Sequence, residues 1–135
     1  MAPLPYNMAS GKYHEKLVAL TSNTPAPATD MATKKVPAMM PMGSFNLIAA
    51  QSLWDATMAW SVSDYLKKNK GKKIRQVNGR FHSDEKSAIV TQLENYSPKL
   101  KSLIISAGPD DSFPYVDWSK QKHLGDYVII TALSS

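Results

Sequence analysis

The sequence predicts a small layered α/β domain of the three-layer type, an open sheet of mainly parallel strands with flanking helices. Two observations lead to that class. From residue 45 onward, helix-period and strand-period segments follow one another as helix, strand, helix, strand, strand, the order that builds parallel pairs. Leu103, Ile104 and Ile105 then form a short unbroken apolar run, suited to a strand covered on both faces. With 135 residues, 43% of them apolar, the chain has the size of one domain with a modest core. Three strands make a thin sheet with two open edges, so a missing N-terminal portion or a partner chain is expected to complete it.

Taken in order, residues 1–10 hold two prolines and no periodicity and read as an incoming extended segment. Ser10 is placed to cap a short helix over residues 11–21, whose Tyr13, Leu17 and Leu20 recur on one face. Residues 22–43 carry four prolines together with Met31, Met39, Met40 and Met42, which blocks regular structure. This stretch reads as a loose loop resting on the core, or as a soft flap over a flat apolar ligand. Ser44 then opens the longest element, a helix over residues 45–69 stopped by Gly71. Its apolar stripe is Leu47, Trp54, Met58, Val62 and Tyr65 or Leu66, widened by Ile48, Ala59 and Trp60, so more than half its circumference should be buried. Ile74 and Val77 mark a strand at residues 73–78. Ser83 or Asp84 caps a helix over residues 85–96, with Ile89, Val90 and Leu93 inward, which Ser97-Pro98 ends. Strands at residues 100–107 and 126–133 follow, separated by a polar, turn-rich excursion.

Several functions are excluded by what the chain lacks. It has no cysteine, hence no disulfide, thiolate metal site, cysteine nucleophile or lipid-bearing cysteine. No run of 18 apolar residues marks a membrane span, and residues 1–10 lack the basic and apolar regions of a signal peptide. There is no nucleophile elbow, phosphate-binding glycine loop or dinucleotide fingerprint. The net charge of +5 comes largely from Lys67, Lys68, Lys70, Lys72, Lys73 and Arg75. These cations could attract phosphates or anionic lipid; without interleaved aromatics or a nucleic-acid motif they read as a solvated helix end and loop, and no nucleic-acid partner is expected.

The sharpest candidate is Gly79-Arg-Phe-His82, in which a glycine lets the chain leave its strand and a histidine follows at the sheet's edge. Imidazole there could bind a metal, move a proton or ligate haem iron; the plain alternative is a hydrogen-bonded loop histidine. Gln51 and Asp55 lie one turn apart inside the apolar helix, where an acid needs a partner or a use. Asp55 either orients His82 or sits on a solvated strip. His14 and His123 have no spaced second ligand, so a two-histidine zinc motif is absent. Asp110, Asp111 and Asp117 read as turn residues or a weak cation site.

Two motifs carry a resemblance. Ala50, Gln51, Leu53, Asp55, Met58 and Ala59 spell A-Q-x-L-x-D-x-x-M-A, and Gly79 and His82 spell G-x-x-H after a basic spacer. In this order and separation, with LKSLIIS and DYVIIT behind them, they resemble the C-terminal half of the ChaN-like haem-binding uptake proteins of the Tiki superfamily. The resemblance covers residues 44–133 and extends to PLPYNMASGKYHEKLVAL. It implies an α/β fold and a bacterial haem-binding protein linked to iron uptake, of a family often exported as periplasmic, outer-membrane or cell-surface lipoproteins. It makes His82 a ligand or site-lining residue, Asp55 and Gln51 its orienting groups, and Gly79 and Met58 parts of the same haem site. Distant relatives are metal-dependent hydrolases that take a histidine and acids from both halves of the domain, so a divalent metal on His82 is the alternative cofactor and a truncated, inactive product the third reading. A binding protein is favoured over an enzyme, because one histidine and one acid fall short of three ligands for a catalytic zinc. The chain departs from the family where Ser83-Asp-Glu-Lys-Ser replaces a glycine-rich, tyrosine-containing segment, and where the family's first half has no counterpart. Residues 1–135 are therefore expected to be one partial domain, with a possible homodimer covering its open sheet.

Overall fold

A computed structural model describes residues 6–22 and 42–133. The chain forms helix α1 (Gly11–Ser22), helix α2 (Met42–Lys68), helix α3 (Ile89–Tyr96) and strands β1 (Ile105–Pro109) and β2 (Tyr127–Thr131). The strands pair in parallel, Ile105 opposite Tyr127 and Ala107 opposite Ile129. The result is a small α/β fold with a two-stranded parallel open sheet and flanking helices, the class the sequence predicts. The Pro- and Met-rich flap expected over residues 22–43 lies almost wholly outside the described residues.

Helix α2 extends further at its N-terminus than expected, and Gly71 just beyond it takes the positive φ (+78°) of a helix stop. Its buried face differs from the predicted stripe. Ile48, Ser52, Asp55, Ala56, Ala59 and Ser63 point inward, whereas Trp54 and Tyr65 are exposed. Burial follows what packs against the helix rather than apolarity alone. Small residues let neighbouring backbone approach closely: Ser52 Oγ accepts the Ala9 N–H at 2.9 Å, and Ser63 Oγ meets Ser97 Oγ at 2.7 Å at the end of α3. The expected burial of more than half the circumference therefore does not occur. On α1, Tyr13 and Leu17 are buried as predicted but Leu20 is exposed. Tyr13, Leu17, Ile48 and Ala88 make the core cluster, with Phe81 packed against it.

The strand expected at residues 73–78 does not form; residues 72–79 carry no regular structure, and Val77 is 86% exposed. Ile74 and Val77 are three apart, so in a strand they would fall on opposite faces and supply no apolar side. The helix expected over residues 85–96 breaks in two. A 3-10 turn at Asp84–Lys86 is followed by α3, with positive φ at Glu85, Lys86 and Ala88. Tertiary contacts overrule the helical pattern here. The Glu85 N–H donates to the Leu124 carbonyl at 2.9 Å, while its carboxylate gathers Lys12, Lys16 and His123. Asp84 caps nothing with its side chain and instead pairs with Arg80.

These same turns moor the sheet. Asp126 accepts the Ile104 N–H at 2.8 Å and pairs with Lys86 at 2.7 Å. Gly125 lies so close to β1 that an added Cβ would stand 2.9 Å from the Ile104 carbonyl oxygen. One face of the sheet, with Ile104 and Ser106, is buried. The other presents Leu103, Ile105, Tyr127 and Ile129 to solvent, so the coverage on both faces expected from the apolar run is absent among the described residues. Leu17 is the anchor of the helical core at 1% exposure. Leu17→Ala should lower stability by about 2–5 kcal/mol, measured by urea unfolding.

Candidate functional site

His82 ends a 3-10 turn, Arg80–His82, whose geometry is closed by the His82 N–H donating to the Gly79 carbonyl at 3.0 Å. Phe81 anchors that turn in the core, its ring 5.3 Å from Tyr13. The His82 ring stands edge-on to Phe81 at 6.0 Å. The turn therefore holds the imidazole in a fixed direction, toward α2.

There it meets Asp55. His82 Nδ1 lies 2.7 Å from Asp55 Oδ1, and Asp55 Oδ2 accepts the Tyr13 hydroxyl at 2.7 Å. Asp55 is only 1% exposed. Burial pushes its carboxyl above the usual range, opposed by the hydrogen bonds from Tyr13 and His82. Burial, with Asp55 beside it, pushes the Tyr13 phenol well above its ordinary value, so Tyr13 remains a donor. An accepting Asp55 Oδ1 assigns the ring proton of neutral His82 to Nδ1 and leaves the lone pair on Nε2. Asp55 is thus buried against His82 rather than set on a solvated strip.

His82 also borders a cleft of about 450 Å³ lined by Trp54, Thr57, Met58, Val77, Asn78, Gly79 and His82. The cleft is wide open to solvent, with Trp54 and Val77 in its wall exposed. Among the described residues, no acid, lysine or arginine is in that lining. Met58 and Gly79 thus stand at the cleft with His82. Gln51 is not in that lining, and among the described residues its buried Oε1 has no hydrogen-bond partner and it makes no hydrogen bond to His82. Gly79 is not required by its backbone, since φ is −61° and an added Cβ would be in ordinary contact, 3.9 Å from His82 Cδ2. The steric role expected for this glycine is therefore absent.

Sequence reasoning missed Tyr13 as a site residue and treated it as core. The signal was available: a buried tyrosine needs a partner for its hydroxyl, and a buried acid needs a donor. Asp110 and Asp117 behave as turn residues, accepting the N–H groups of Ser112 and Ser119 at 2.9 and 3.1 Å. Among the described residues, no group of three or more histidines and acids could hold a metal ion, and no helix is long and apolar enough to cross a membrane.

A family model described as haem-binding uptake, Tiki superfamily, ChaN matches residues 3–93. That span includes α1, α2, the Asp55–His82 pair and the start of α3, and stops before the sheet. No curated protein and no solved structure matches the chain.

The buried acid makes two substitutions informative. Asp55→Ala leaves the Tyr13 hydroxyl and His82 Nδ1 without their acceptor and should cost about 3 kcal/mol in urea unfolding. Asp55→Asn preserves the shape and removes the ionisation. Because the folded-state pKa of Asp55 lies above its ordinary value of 3.8, its ionisation weakens the fold as pH rises through that interval. The stability of Asp55→Asn relative to the natural protein should therefore increase from about pH 4 upward and level off once the folded-state carboxyl has ionised.

Proposed function

The chain belongs to the ChaN-type haem-binding uptake family of the Tiki superfamily, and from that premise we propose that it binds haem in the cleft between α2 and the 77–82 loop. The observation that carries the reading is the contact of His82 with Asp55 at the edge of the cleft. Asp55 pins Nδ1, leaving Nε2 with its lone pair on a ring that borders an uncharged cleft. The donor set suits haem: an imidazole nitrogen for iron, with Trp54, Met58 and Val77 as apolar surface for a flat macrocycle.

In this reading His82 supplies the ligand atom, Asp55 raises its basicity and fixes its direction, and Tyr13 holds Asp55 from the opposite side. Met58 and Gly79 give contact surface. Bound haem would supply an iron centre able to take further ligands. Iron uptake from an exported position is the physiological role this proposal carries. The hydrolase alternative has no particular observation in its favour.

The bare face of the sheet supports two further parts of the reading. One is that the chain is the C-terminal portion of a ChaN-like domain. The other is that, by itself, it pairs with a second copy through Leu103, Ile105, Tyr127 and Ile129. That patch, on the order of 500 Å², is at the upper end of the largest apolar patches on monomers. Sedimentation equilibrium should give a dimer, dissociated by Ile129→Lys; a monomer at all concentrations removes the homodimer.

Titration with haemin tests the main reading. A Soret band shifted from that of free haemin is expected, with at least tenfold weaker binding and an altered band in His82→Ala. An unshifted band, or one that His82→Ala leaves alone, removes His82 as the ligand.

A further inference from the structure

The cleft that borders His82 has no charge in its lining, yet the segment that leads into it is the most basic stretch of the chain. Six cations occupy residues 67–75, and two of them are already engaged: Lys67 donates to the Tyr96 carbonyl and Lys68 pairs with Asp64. Both lie in the last turn of α2, where the helix dipole favours positive charge. That effect fades within the final turn, so it does not account for Lys70, Lys72, Lys73 and Arg75. These four are exposed and form no ion pair among the described residues.

Their position along the chain is informative. Residues 72–79 lie outside any helix or strand and run directly into Val77, Asn78 and Gly79 on the cleft wall. Arg75 precedes Val77 by two residues, at most about 7 Å of extended chain, and Lys73 by four, about 14 Å. A row of unpaired cations thus approaches one end of an uncharged cleft. That pattern suits a ligand with an apolar body and anionic groups gathered on one edge. A guanidinium can take a carboxylate through two parallel hydrogen bonds, and lysines add charge without fixed geometry.

We propose that Lys72, Lys73 and Arg75 form a carboxylate-binding lip, which holds the propionates of a porphyrin whose ring lies in the cleft. Arg75 is the principal contact, being nearest the wall, and Lys72 and Lys73 supply the supporting field. The inference rests on the haem reading and adds to it the feature that selects the dianionic macrocycle and sets its rotation about the His82 axis. These are positioning and selectivity residues; none touches the iron.

The test compares metal-free protoporphyrin IX with its dimethyl ester, by fluorescence quenching on the full chain. Neither probe depends on ligation by His82, so binding of the ring and binding of the carboxylates are read separately. The natural protein should take the diacid at least tenfold more tightly than the ester at 50 mM salt, and the preference should shrink as salt is raised to 500 mM. Arg75→Gln should remove much of the preference, and the triple variant Lys72→Gln, Lys73→Gln, Arg75→Gln nearly all of it. Ester binding should be unchanged in both, which also reports that the variants are folded. Equal affinity for diacid and ester in the natural protein, or a preference that survives the triple variant, overturns the lip while leaving the haem reading standing. Failure of the natural protein to bind either porphyrin also overturns the lip, while the haem reading stands or falls on the haemin titration, in which iron is present for His82.

Discussion

A single buried carboxylate joins three segments of this protein that lie far apart in the sequence. Asp55 sits at 1% exposure in the middle of α2 and receives one side chain from α1 and one from the 80–82 turn. A charge or acid in such a place is tolerated only when its oxygens are occupied. Tyr13 and His82 occupy them, and so three segments far apart in sequence are brought to one point. The arrangement also distinguishes the two ring nitrogens of His82, because Nδ1 faces Asp55 and Nε2 has no hydrogen-bond partner among the described residues.

The fold around that point is asymmetric. The helical part is closed by small residues on α2, which let the N-terminal segment and the end of α3 come close enough to hydrogen-bond to Ser52 and Ser63. The sheet is attached more loosely, through Asp126, Lys86 and the backbone of Glu85 and Leu124. Parallel strands are ordinarily covered on both faces, and here Ile105, Tyr127 and Ile129 are not. The turns at residues 80–88 are therefore doubly constrained: they orient His82 on one side and carry the sheet on the other. Their positive-φ residues, Glu85, Lys86 and Ala88, lie where those two demands meet, and such conformations persist only when surrounding contacts impose them.

Much of this was legible from residue types alone. The long helix, its glycine stop, the short first helix, the two C-terminal strands and the α/β class follow from periodicity and punctuation, which depend on local backbone preference. The motif residues Asp55 and His82 were identifiable as chemically unusual: one an acid on an apolar helix, the other a histidine after a glycine. What did not follow was which side of α2 faces inward. Its apolar residues surround it, and the buried side is set by the small residues Ser52, Ala56, Ala59 and Ser63, a preference that exists only once a neighbour has docked. The strand expected from Ile74 and Val77 failed for a related reason, since strand formation needs a partner as well as an apolar pair.

By itself, the sequence determined the class of fold, the residues able to do chemistry and the family motifs that contain them, because these depend on identity and spacing along the chain. Only the tertiary structure decided that Asp55 and His82 are in contact, that Tyr13 completes the pair, and that Gln51 remains outside it. A hydrogen bond between residues 27 positions apart depends on how a helix and a turn are rotated against each other. That rotation is fixed by the burial of Phe81, Tyr13 and Ile48 in one core, not by any preference those residues express alone.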